Sequence, residues 1–197
     1  MTRTPEERLA PIRRVLSRHG FAGKTVARVR EEERVLLSSG TPLSGVTAQP
    51  FALGGIRAEI VRPAAAASDG LVLYIHGGGF FAGSVETHRK LAAHIARSGG
   101  VPVLTFDYAL APEHPYPAAL DDTLAVWRRL RADGYGSRNV VFGGDSAGAG
   151  LALMALLALR DAGEELPAGA FLLSPFVDYT RMDSETYRTN AGRDPFV

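Results

Sequence analysis

Two glycine-rich turns hold the residues that could do chemistry. Tyr74-Ile75-His76-Gly77-Gly78-Gly79-Phe80 follows one apolar run, and Gly144-Asp145-Ser146-Ala147-Gly148 follows another. A serine with glycines two positions before and after it, at a strand-to-helix junction, sits in a strained turn that only glycine-sized neighbours permit, and its hydroxyl is pushed above the sheet. Val140-Val141-Phe142 supplies the strand, and the apolar sequence from Ala147 onward supplies the helix. The helix start adds unpaired amides and a positive dipole end, so the Ala147 N–H can point at a developing oxyanion. Glycines at 77–79 let further amides approach the same oxygen, each donor being worth roughly 2.7–4 kcal/mol in the transition state. The chemistry that this pattern serves is acyl transfer on Ser146. Either turn alone could be a plain tight turn, but the two together, each behind its own strand, favour acyl transfer.

The usual general base is missing from the expected side. All five histidines, His19, His76, His88, His94 and His114, precede Ser146. His76 belongs to the glycine loop and is expected to order backbone there. His88 and His94 fall on a surface-helix pattern, and His114 lies in a proline-rich turn. Asp194-Pro195-Phe196 follows a polar, strandless stretch and reads as linker. Gly23-Lys24-Thr25 lacks the leading glycine of a phosphate loop, since position 18 is Arg18. No histidine or acid set has metal-ligand spacing, so no metal is expected.

The elements that must position these turns are legible as short apolar runs alternating with helices from Val46 onward. Strands are expected at Thr47–Leu53, Ile56–Arg62, Leu71–His76, Pro102–Asp107, Asn139–Phe142 and Ala170–Ser174, with Gly54-Gly55 as a hairpin turn. Helices are expected at Glu86–Ser98, Pro117–Ala132 and Ser146–Ala162, the last apolar almost all round and hence centrally buried. That alternation predicts an α/β fold with a mostly parallel central sheet and helices on both faces. Residues 1–45 differ in character. Thr4-Pro5-Glu6-Glu7 is a helix start, Leu9, Ile12 and Leu16 share a face, and Pro11 is expected to interrupt the helix. A second helix is expected over Lys24–Ser38, with Val26, Val29, Leu36 and Leu37 as its apolar residues.

At 197 residues and 46% hydrophobic content the chain can bury one sizeable core. The net charge is +1 and the basic residues are scattered among acids, which argues against nucleic acid as a partner. The absence of cysteine excludes disulfides and thiolate metal sites. The N-terminus has no continuous apolar segment of the secretory type, so a cytoplasmic location is the expectation. The apolar stretch Ala147–Leu159 is shorter than the roughly 20 residues that span a bilayer, so no membrane span is expected.

The chain resembles the hormone-sensitive-lipase-like (bacterial family IV) esterases of the α/β-hydrolase superfamily. His76-Gly77-Gly78-Gly79 and Gly144-Asp145-Ser146-Ala147-Gly148 carry the likeness, which continues through Phe106-Asp107-Tyr108-Ala109-Leu110-Ala111-Pro112-Glu113-His114-Pro115-Tyr116-Pro117 and Leu172-Leu173-Ser174-Pro175-Phe176-Val177-Asp178. The resemblance covers about residues 45 to 195. It implies an α/β-hydrolase fold, hydrolysis of short to medium acyl esters without a cofactor, Ser146 as nucleophile, and Gly78, Gly79 and Ala147 as oxyanion donors. It also implies that residues 1–45 form a helical cap over a core at 46–197. Many relatives carry Arg where Ala109 stands. The family's triad acid and histidine follow the serine on loops after two further strands, and these 197 residues hold neither. The expectation is therefore a partial hydrolase core lacking its last strands, weak or inactive alone. The alternatives are a non-catalytic ligand-binding scaffold, or one completed by a homo-oligomer or by a C-terminal polypeptide.

Overall fold

The computed structural model describes residues 4–16, 21, 23–39, 43–65, 69–180 and 185–190. Its six strands are β1 (Val46–Leu53), β2 (Ile56–Pro63), β3 (Leu71–Ile75), β4 (Val103–Phe106), β5 (Val140–Asp145) and β6 (Gly169–Leu173). They form one sheet in the order β1-β2-β4-β3-β5-β6. β1 and β2 are an antiparallel hairpin across Gly54-Gly55, and β2 meets β4 antiparallel. From β4 through β3 and β5 to β6 every pairing is parallel. The helices α1 (Pro5–Leu16), α2 (Val26–Ser38), α3 (Val85–Gly99), α4 (Ala118–Ala132), α5 (Ser146–Asp161) and α6 (Glu185–Asn190) complete the chain order.

Two apolar layers follow from the period of two along each strand. Leu71, Leu73 and Ile75 of β3, with Leu104, Phe106 and Phe142, face α4 and α5 and pack on Trp127, Leu130, Leu151 and Leu159. Val72 and Tyr74, the alternate residues of β3, join Val61 and Val103 against Ala92, Ala93 and Ala96 of α3 on the other face. A strand buried on both faces is thus continuously apolar while still sorting its side chains in alternation. Trp127 packs edge-on to Phe142 at 5.3 Å, and its indole N–H finds the Glu165 carbonyl at 3.2 Å. On the α3 face the Arg89 guanidinium grips the Glu59 carboxylate of β2 with two bonds of 2.7 Å.

The expected elements are present with boundaries shifted by up to three residues, the largest at β5, which runs on to Asp145, but the N-terminal helices differ in detail. Pro11 lies inside a continuous α1 rather than breaking it. α1 opens on a reciprocal cap, the Glu7 N–H donating to Thr4 Oγ1 at 3.3 Å and the Thr4 N–H to Glu7 at 2.8 Å. Leu9 stays 43% exposed, so this helix does not seat its full apolar face. α2 starts at Val26, after Thr25 caps it by accepting the Arg28 N–H, and buries Val29. α5 is likewise not buried all round: Ala147–Ala152, Ala155 and Leu159 are inside, whereas Leu157 is exposed and Met154 half-buried. Its inner face is small because the helix crosses the sheet closely at Gly148, where a Cβ would collide with the Ile75 and His76 carbonyls. Among the described residues no helix is long and apolar enough to cross a membrane.

Candidate active site

Ser146 stands at the junction of β5 and α5 with φ of 49°, in the left-handed region that costs an L-residue on the order of 1–3 kcal/mol. Its neighbours explain how the turn closes. A Cβ on Gly144 would come within 2.7 Å of the Gly148 carbonyl carbon, so this approach of strand end to helix start requires glycine. Ala147 is buried in the first turn of α5, its amide among those the helix leaves unpaired. The Ser146 carbonyl accepts the Phe176 N–H at 3.1 Å, which binds the segment after β6 to the elbow.

The second glycine turn leaves β3, the strand paired with β5, so both turns emerge at the same end of the sheet. Gly78 has φ of 118° and Gly79 of 62°, conformations that open the backbone where a side chain would clash. At Gly78 a Cβ would strike the Ala82 carbonyl. The turn closes on itself through the Phe81 and Ala82 N–H groups, which both donate to the Gly78 carbonyl, at 3.1 and 2.8 Å. Immediately after it, Ser84 and Thr87 form a capping box that starts α3, and the Asp107 carboxylate accepts the Val85 N–H at 2.6 Å.

Asp145 joins the two turns. Its Oδ1 accepts the Gly77 N–H at 3.0 Å and the Tyr74 hydroxyl at 2.9 Å, and lies 3.3 Å from His88 Nε2. Burial opposes this carboxylate's charge, but the bonds from His88, Tyr74 and Gly77 outweigh it and hold its pKa below the ordinary value. Burial and then the Asp145 charge push the Tyr74 hydroxyl upward, so it remains a donor. The sequence pattern put His88 on a surface, and that is corrected: it is 8% exposed, its other ring nitrogen 2.8 Å from Thr87 Oγ1. The first turn of α3 faces the site because it starts directly out of the glycine loop, which a helical-periodicity argument cannot see. His94, on the same helix, is exposed as expected.

His76 is buried under the loop, stacked on Tyr108 at 4.2 Å, and Tyr108 in turn donates to the His76 carbonyl at 2.9 Å. Its Nδ1 lies 2.8 Å from the Gly77 carbonyl and therefore carries the proton, while Nε2 is buried without a partner. Burial pushes its pKa down to about 3, so the ring is neutral and serves the backbone of the loop. His114 is exposed at the rim of an apolar pocket of about 590 Å³. Gly79 and Phe80 of the glycine loop, Ala111, Leu120, Met154 of α5 and Tyr179 line it. Ala109 offers its N–H to Asp122 at 2.8 Å. His19 and Asp194 lie outside the described residues, among which no group of acids, histidines or cysteines is placed to hold a metal.

Sequence reasoning left Asp145 and Tyr74 as motif positions without a task, put His88 on the surface, and passed over Tyr179. Tyr74 carried a signal, being the one polar-tipped residue in the apolar β3 run. Tyr179 carried none, since its place beside Phe80, 5.9 Å ring to ring, depends on the fold of the segment after β6.

Residues 72–197 match the family model described as alpha/beta hydrolase fold. An esterase of Acinetobacter venetianus is 41% identical over 152 residues, covering 77% of this chain and 50% of that protein. An acetyl-hydrolase of Streptomyces hygroscopicus is 46% identical over 127 residues, 64% of this chain and 42% of its own length. Among solved structures, an esterase of the bacterial hormone-sensitive lipase family superimposes with a TM-score of 0.89 at 39% identity, over 100% of this chain and 66% of that one. With this fold and these two turns, the chain belongs to the hormone-sensitive-lipase-like esterase family of the α/β-hydrolase superfamily. It spans about half the length of the curated relatives it matches.

Proposed function

We propose that the protein is a serine carboxylesterase acting on small esters with short to medium acyl groups through an acyl-enzyme on Ser146. The observation that carries this reading is the left-handed Ser146 joined, through the adjacent Asp145 carboxylate, to the Gly77 amide of the glycine loop. In the proposed reaction the Ser146 Oγ attacks the ester carbonyl carbon, and the Gly78, Gly79 and Ala147 amides hold the resulting oxyanion. The carbonyl re-forms as the alkoxide leaves with a proton, giving the acyl-Ser146 ester. Water then adds to that ester, and the carboxylic acid departs as the Ser146 hydroxyl is restored. No metal or cofactor enters these steps. The short acyl class draws support from the acetyl-hydrolase relative and from a related esterase crystal soaked with p-nitrophenyl butyrate.

The proton from Ser146 needs an acceptor. His76 is neutral, buried and committed to Gly77, and no histidine follows Ser146 in the sequence. The triad acid and histidine are proposed to lie in a segment matching the part of the relatives that this chain does not span. The 197 residues alone are then weak or inactive, since loss of a triad base costs on the order of 10⁶ in rate. The helical stretch 1–45 is read as the cap of the core at 46–197, and the protein as cytoplasmic.

The test is hydrolysis of p-nitrophenyl acetate and butyrate by wild type and Ser146→Ala, with and without free imidazole as a substitute base. The proposal expects the two proteins to match without imidazole and the wild type to exceed Ser146→Ala with it. Equal rates under both conditions reject Ser146 as nucleophile.

A second reading, a scaffold completed by another polypeptide or by a second copy, is favoured by one observation. Among the described residues β6 pairs only with β5, and Leu166, Leu173 and Val177 near it are exposed. A strictly monomeric, inactive chain that binds ester analogues would instead favour a non-catalytic binding role.

A further inference from the structure

Two side chains on one face of α2 reach the loop that leaves the glycine turn. The Arg30 guanidinium donates through Nε to the Phe81 carbonyl at 2.6 Å and through Nη2 to the Ala111 carbonyl at 2.9 Å. The same group holds both carboxylate oxygens of Glu113 at 2.8 and 2.7 Å, so four of its five donors serve three separate points. Three positions further along the helix, the half-buried Glu33 carboxylate lies beside the Gly83 N–H, which favours its charged form against burial. Positions three apart share a helix face, so Arg30 grips the loop at Phe81 while Glu33 faces it at Gly83.

What the grip holds is the mouth of the apolar pocket. The Phe80 carbonyl accepts the Ala111 N–H at 2.9 Å, so Arg30 binds the next carbonyl along on one strand of the loop and the carbonyl of the same residue on the other. Phe80 and Ala111 both line the pocket, and Phe80 is held at φ of 65°, a conformation that needs such outside support. Phe21 packs edge-on to Phe81 at 5.4 Å, adding an apolar contact from the N-terminal stretch.

We propose that Arg30 and Glu33 are positioning residues through which α2 fixes the loop at 80–83 against the 109–113 wall, and thereby sets the shape of the pocket mouth beside the oxyanion amides. The proposal rests on reading the glycine turn as the oxyanion loop. α2 is on this account part of the substrate site: its removal or tilting would change which acyl groups enter without touching Ser146.

Amide hydrogen exchange on the 197-residue chain, read peptide by peptide beside urea unfolding, tests it. Arg30→Ala is expected to speed exchange about ten-fold or more in 80–83 and 109–114 while the core strands β3, β4 and β5 keep their rates. Arg30→Lys is expected not to restore protection, because a compact ammonium cannot span two carbonyls and a bidentate carboxylate at once. Glu33→Ala is expected to unprotect Gly83, and Glu33→Gln, which keeps an acceptor oxygen, to restore it. Unchanged exchange in both loops, acceleration spread evenly over the core strands, or full restoration by Arg30→Lys overturns the proposal. Exchange does not depend on turnover, so failure of the esterase reading in the imidazole assay leaves this result intact, and a rigid loop in Arg30→Ala leaves that reading standing.

Discussion

Asp145 Oδ1 accepts the Gly77 backbone N–H at 3.0 Å, so the residue beside Ser146 holds the loop that carries Gly78 and Gly79. One carboxylate therefore sets the distance between the two halves of the site. Asp145→Ala leaves the Gly77 amide and the Tyr74 hydroxyl without an acceptor and should cost about 1–3 kcal/mol in urea unfolding. Asp145→Asn keeps an acceptor oxygen but loses the charge that faces His88, and its loss should be clearly smaller. Equal losses for both variants would show that the two bonds contribute little.

Ser146 itself should be a strained position. Glycine adopts φ of 49° freely, so Ser146→Gly is expected to stabilise the chain by about 1 kcal/mol, the relieved strain less the entropy that glycine loses on folding. Ser146→Ala relieves nothing and should unfold at the wild-type urea concentration. A less stable Ser146→Gly would contradict the strained elbow.

Gly148 of the elbow should differ sharply from turn glycines elsewhere. A Cβ at position 148 meets backbone carbonyls of β3 and its loop, which cannot rotate away, so Gly148→Ala should cost about 3 kcal/mol or more. Gly54 and Gly163 also have positive φ but open space around them, so alanine there should cost only the conformational strain, about 1–2 kcal/mol. Chemical denaturation of the three variants measures the contrast.

His76 makes the fold sensitive to acid. Burial first, then the nearby His88, lowers its pKa from 6.5 to about 3. Between those values the unfolded chain binds a proton that the folded chain does not. The contribution is therefore fully present above 6.5 and is lost progressively as pH falls toward about 3. His76→Gln removes the titration, and the fall of its urea midpoint across that window should be shallower than in wild type. Parallel profiles would place the acid sensitivity in other groups.

The fold was legible because period-two burial, glycine punctuation and helix caps all agree from Val46 onward, as in the Ser84–Thr87 capping box and the β1–β2 hairpin at Gly54-Gly55. The site was legible as far as its backbone, because the glycines that shape it stand at fixed offsets from Ser146 and His76. The side chains that tie it together were not. His88 turns inward because α3 begins out of the glycine loop, and Arg30 reaches Ala111 and Glu113 across some eighty residues of sequence, contacts that no local period encodes. Pro11 was misread for a related reason: its place in a helix depends on whether the freed carbonyl finds water, and an exposed helix allows that.

The most direct test of the account is to look for the acyl-enzyme. Deacylation needs the same base as acylation, so removing imidazole once the acyl-enzyme has formed should trap acyl-Ser146 on a chain without that histidine. After incubation with p-nitrophenyl butyrate and imidazole, and removal of the imidazole, intact mass and peptide mapping should find one butyryl group, on Ser146, and none on the Ser146→Ala protein. Unmodified Ser146, or butyryl groups only on other side chains, would contradict the assignment of Ser146 as the nucleophile.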